Sequence, residues 1–147
     1  MAQDSGRIIV GVDGSGASVD AIKWAIRQAR LTGATVEAII AWSVPVSFGV
    51  AMGAVESVDW EANSKEIIDA AVREAVGDGD SDVKITLTSV QGHPADILVE
   101  ASKDADLAVV GSRGHGGFVG AVLGSVSSHV VAHALCPVVV TRQRKDS

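Results

Sequence analysis

Short apolar runs rich in Val and Ile recur along the chain, separated by longer segments whose apolar residues return at helical spacing. Such alternation implies βαβ units and a parallel sheet. The first strand is Arg7–Val12. After the turn Asp13-Gly14-Ser15-Gly16 a helix runs to about Thr32, with Gly33 as its stop signal. Ser18, Ile22, Ala25, Ile26 and Ala29 share one face of that helix. Trp24 falls nearly opposite Ile22, off the core face, and is left for a partner surface or for partial cover by the stem of Arg27. The second strand is Thr35–Trp42 and the third spans about 83–90. Between them Trp60, Ser64, Ile67, Ile68, Ala71 and Ala75 line one face of a helix ending near Gly77. Pro94 opens a third helix, where its missing N–H costs nothing, and turns Ile97, Leu98 and Ala101 inward. A fourth strand at 106–111, a fourth helix at 125–134 and a fifth strand at 137–142 complete the order. Right-handed crossovers wind these elements into an open, doubly wound α/β fold, a five-stranded parallel sheet of strand order 3-2-1-4-5.

At 147 residues the chain suits a single domain across 1–147, with its ordered core at about 7–142. A domain of this size buries enough surface to hold together without disulfides or a structural metal. The lone Cys136 can close no internal bridge and build no Cys-rich zinc site, which excludes a secreted disulfide scaffold and fits a reducing compartment. Because only 3% of residues are aromatic while 47% are hydrophobic, the core must be aliphatic, the palette of buried parallel strands. Net charge −6 argues against a nucleic-acid binder. The uncharged stretches 38–55 and 114–141 are broken by proline, glycine and serine, so no membrane span is expected. No basic n-region precedes an apolar h-region at the N-terminus, and a cytoplasmic location is expected.

Ligands of such sheets bind beyond the carboxyl ends of the strands, where strand order reverses. Two glycine-rich segments fall at that edge, 11–16 after the first strand and 111–118 after the fourth. Glycine lets backbone N–H groups approach an anion, and the helix opening at Gly124-Ser125 aims its positive end at the same place. Familiar motifs fail by letter. A Walker A loop would need lysine after a second glycine, yet Gly117 follows Gly116. A Gly-x-Gly-x-x-Gly fingerprint would need glycine at Val119 or at Val19. The residues also have plainer readings: Asp13 as a turn stabiliser, Ser125 as an ordinary N-cap, Arg113 as a phosphate clamp or a solvated loop arginine. His129 and His133 share a helix face, but neither they nor His115 has an acidic third ligand nearby in sequence, so no metal site of their own is expected. The segment 43–58 is too apolar for a solvated loop and suits a lid over the cleft.

The spacing Gly111-x2-Gly114-x9-Gly124-Ser125 between a fourth strand and a fourth helix resembles the ATP-binding branch of the universal stress protein family. The resemblance covers nearly the whole chain, from about Ile8 to Thr141. It implies a Rossmann-like fold of the adenine nucleotide alpha hydrolase kind and a regulatory, stress-response protein whose nucleotide occupancy modulates loop order and dimer or partner contacts. It implies that Gly111, Gly114, Gly124 and Ser125 hold ribose and phosphates, with Ser112 and Arg113 in the loop and Val126 and Ser127 at the helix start. Val12 and Asp13 follow the first strand, Asp13 near ribose or a phosphate-bound Mg ion. Trp42 ends the second strand beside adenine, stacking on the base or filling part of its pocket. The implied cofactor is ATP, with Mg, and the implied partner is a second copy paired through Val138, Val139 and Val140. A slow ATPase or nucleotidyl-transfer enzyme, a cyclic AMP binder and a nucleotide-free partner-binding module are the alternatives; no nucleophile and general-base pair announces catalysis.

Overall fold

The computed structural model describes residues 6–44, 59–77, 82–113 and 123–142. Its elements, in chain order, are β1 (Arg7–Val12), α1 (Gly16–Thr32), β2 (Thr35–Trp42), α2 (Trp60–Val76), β3 (Ile85–Gln91), α3 (Pro94–Ser102), β4 (Leu107–Gly111), α4 (Ser125–His133) and β5 (Val138–Thr141). The strands form one parallel sheet in the order β3-β2-β1-β4-β5, as the alternation and right-handed crossovers predict.

The sheet is covered on both faces because successive side chains of a strand point opposite ways. Ile8, Val10 and Val12 of β1 join Val36, Ala38 and Ile40 of β2 against Ile22 and Ala25 of α1 and Ile68 and Ala71 of α2. Ile9 and Ile39 point to the other side, into Leu98 of α3 and Val130 of α4. Small aliphatic residues are what such a two-sided sheet can accommodate. At Gly11 an added Cβ would come within 2.8 Å of Leu98, so the strand needs glycine there for α3 to lie close.

The helix ends follow local chemistry. Ser15 caps α1 by accepting from the N–H of Ser18, and Gly33 closes it in the left-handed region at φ 79°. Asp59 caps α2 by accepting from Ala62, and His93 caps α3 by accepting from Ala95 ahead of Pro94. Ser102 is fully buried. Its hydroxyl donates to the Val99 carbonyl at 2.6 Å and accepts from the N–H of Leu135 at 2.9 Å, fastening the end of α3 to the segment after α4.

Several expected boundaries shift for identifiable reasons. Val83 is buried in the core, but β3 begins only at Ile85, after the Lys84 carbonyl has accepted from Val36 at 2.9 Å. Asp106 stands outside β4 because its carboxylate takes the N–H of Arg7 at 2.8 Å, in place of a ladder carbonyl. Helix α4 stops at His133, where Ala134 turns extended, and β5 is the shorter run Val138–Thr141.

Trp24 departs from the expectation that it lies off the core face. It is half-buried and packs on the core layer shared by α1 and α2. The buried arc of α1 includes Ala17 and Ala21, with Ala17 lying against Gly111 of β4, and Trp24 borders that arc.

A polar cluster crosses the amino-terminal half of the sheet. Glu37 accepts from both Nε and Nη2 of Arg7 and from the Thr88 hydroxyl at 2.6 Å, while Arg7 Nη1 reaches the Ala101 carbonyl at 3.4 Å. Burial pushes the Glu37 carboxyl upward, but hydrogen bonds from Thr88 and Arg7 and the Arg7 charge outweigh it, leaving the group below its ordinary value of 4.5.

Candidate functional site

Strand order reverses between β1 and β4, which pair directly from Ile8↔Leu107 to Val10↔Val109. Their carboxyl ends therefore open the crevice that such sheets offer to ligands. The β1 side supplies Val12, which is buried, and Asp13, which is exposed. One Asp13 oxygen accepts from both the backbone N–H of Ser15 at 2.9 Å and its hydroxyl at 2.5 Å. That bond set is the turn role anticipated for Asp13, and it turns Ser15 into position to cap α1.

The β4 side is fastened by backbone hydrogen bonds. Ser112 donates its N–H to the Thr141 carbonyl at 2.8 Å and accepts, through its own carbonyl, from the N–H of Gly124 at 2.7 Å. The buried Ser127 hydroxyl donates to the Gly111 carbonyl. Gly111, Ser112, Gly124 and Ser127 are thus brought together at one corner of the sheet, with the half-buried Arg113 next in the chain. Gly111 also lies tight under α1, where an added Cβ would meet Ala17 at 3.0 Å and its carbonyl oxygen at 3.1 Å. Thr141 was missing from the expected set because only the Gly111↔Thr141 register reveals it.

Ser125 is not the N-cap. Gly124 occupies that position at φ −71° and ψ 170°, and Ser125 is the exposed first residue of α4. Among the described residues no side chain caps this end, and no acidic residue stands in its first turn. The first amides of α4 have no intrahelical partner and its positive end suits an anion. Val126 turns into the core behind them. Trp42 ends β2, half-buried, opposite Gln91, and its carbonyl accepts from Gly92 at 2.8 Å. The main chain thereby fixes the indole at the same rim as Asp13, two strands from the β4 corner. Gly114 and the span 45–58 of the expected lid lie outside the described residues.

These features have close relatives. The pattern of the Universal stress protein family matches residues 5–142. Universal stress protein Rv2623 of Mycobacterium tuberculosis (strain ATCC 25618 / H37Rv) is 36% identical over 138 residues, which are 92% of this chain and 45% of that protein. The chain spans about half the length of the curated relatives it matches. Among solved structures, universal stress protein UspA from Lactobacillus plantarum superposes with a TM-score of 0.79 at 23% identity, over 94% of this chain and 98% of that one. A universal stress protein solved in complex with cAMP superposes with a TM-score of 0.67 at 28% identity, over 93% and 96% of the two chains. A family pattern that enters before β1 and leaves just after β5, on a sheet of this strand order, makes the chain a member of the universal stress protein family.

Proposed function

We propose that the chain binds an adenine nucleotide across the crevice between β1 and β4, and that occupancy regulates its contacts with other chains. The observation that carries this reading is the amino end of α4, uncapped by any side chain among the described residues and held beside Ser112 through Gly124. Backbone amides at a helix start suit phosphate, and Gly124 keeps a β-carbon out of the approach. In this reading Gly111, Ser112, Arg113, Gly114, Gly124, Ser125, Val126 and Ser127 surround the phosphates and ribose. Val12 and Asp13 face the ribose, or an Mg ion carried by the nucleotide, and Trp42 lies beside the base. The relative solved with cAMP, at 28% identity, supports the adenine nucleotide class. ATP is the preferred ligand of this proposal and cyclic AMP its competitor.

The regulatory part of the proposal rests on β5. Val138, Val139 and Val140 are each only half-buried on the edge strand, and an apolar edge is a template for a second chain. A homodimer paired through this edge in the cytoplasm completes the reading. No helix among the described residues is long and apolar enough to cross a membrane.

Native mass spectrometry of the freshly purified protein, followed by denaturation and identification of the released nucleotide, tests the ligand. An adenine nucleotide at one per chain is expected. A protein that carries none, and takes up neither ATP nor cyclic AMP in calorimetry, refutes it.

A further inference from the structure

His129 and His133 stand one turn apart on α4, with ring centroids separated by 4.5 Å and planes tilted by 43°. Helical spacing alone offers two imidazoles on one face and no third group. Packing of α3 beside α4 adds Asp96 from the first turn of α3, its Oδ1 3.8 Å from His129 Nε2. We propose that His129, His133 and Asp96 form a surface site for a late first-row divalent ion, with Zn2+ as its representative, that ties α3 to α4.

Two imidazole nitrogens and a carboxylate match zinc in donor type, whereas Mg and Ca ions select all-oxygen sites. Histidines at i and i+4 project from one helix face, the spacing by which a single helix offers two zinc ligands. Ligand atoms about 2.0–2.2 Å from a tetrahedral zinc lie about 3.4 Å from one another, so the His129 and Asp96 atoms need to approach by only a few tenths of an ångström. At 3.8 Å they share no hydrogen bond that a metal would have to break.

No three metal-ligating side chains among the described residues surround one point as they stand. The proposed site therefore requires a change of rotamer, and the Asp96 and His129 side chains, 75% and 43% exposed, and the exposed His133 are not locked by packing. Glu100, one turn beyond Asp96, is paired with Lys103 at 3.0 Å and is not counted as a ligand. A water molecule would complete an open site of this kind.

The test is a ZnCl2 titration of the full chain after chelator treatment, followed by calorimetry and by the histidine ring resonances. One zinc per chain is expected, with the His129 and His133 resonances shifting together. His129→Asn and His133→Asn should each weaken binding by about tenfold or more, and Asp96→Asn by a smaller but measurable factor. All three positions are exposed, so the variants should keep the wild-type circular dichroism spectrum. Zinc should also raise the wild-type Tm and leave that of the double histidine variant unchanged. A double histidine variant that binds one zinc with wild-type affinity overturns the site. An unaltered affinity in Asp96→Asn overturns the link between the helices.

Discussion

The backbone N–H of Gly124 donates to the carbonyl oxygen of Ser112 across 2.7 Å, although eleven residues separate them in sequence. The contact sets the start of α4 against the end of β4, and the next amides of the helix have no intrahelical partner. Gly124→Val should lower nucleotide affinity by at least about tenfold, since the branched side chain would stand where backbone meets phosphate. Valine is also a poor N-cap, so a stability loss of about 1 kcal/mol should accompany it. Calorimetric titration with ATP and a urea melt separate the two effects. Wild-type affinity in this variant would remove the α4 end from the binding site.

Ser102→Ala should destabilise the fold by about 0.5–1.5 kcal/mol, because it removes the buried hydroxyl that accepts from the N–H of Leu135. The measurement is the urea midpoint at constant slope. A change within error would mean that the α3 end and the segment after α4 are held by packing alone.

Trp24→Ala should cost about 2 kcal/mol, the value of exposing half an indole's worth of apolar area. Oligomeric state in sedimentation should not change. Loss of association with unchanged stability would give this residue the partner-surface role instead.

Glu37 makes stability depend on pH in a defined direction. Its carboxyl is held below 4.5 in the folded chain, so its contribution is fully present above the unfolded-state value and fades as pH falls through the lower folded one. Glu37→Gln should therefore be less stable than wild type at neutral pH, and the two denaturation midpoints should converge as pH drops below about 4. Parallel curves down to strong acid would show that the charge paired with Arg7 contributes nothing.

Strands β1 and β2 coincide with their reading from sequence because both are buried on both faces, and a continuous apolar run has obvious ends. The starts of β3 and β4 were misplaced for a different reason. Val83 and Asp106 were read as strand residues, yet the regular ladder pairing begins only at Ile85 and Leu107. Trp24 was placed off the core because one helix wheel cannot show how far the arc of α1 beside Ala17 packs onto the sheet. The same limit governs the candidate site. Glycine spacing marks the loop after β4, whereas the Ser112 contact with Thr141 exists only through the β4 and β5 register. Asp96 beside His129 likewise joins residues far apart in the chain, on different helices, which no local spacing could pair.

Ser112 holds Thr141 through its N–H and Gly124 through its carbonyl, so a single residue stands between an edge strand of the sheet and the start of α4. In the proposed function, the nucleotide and the second chain would lie on opposite sides of that residue. If a molecule seated on β5 alters the affinity for a nucleotide at Gly124, the nucleotide must alter the affinity for that molecule by the same factor. The traffic is two-way by thermodynamic necessity: the small ligand can report on the company the protein keeps, and the company can decide whether the small ligand stays.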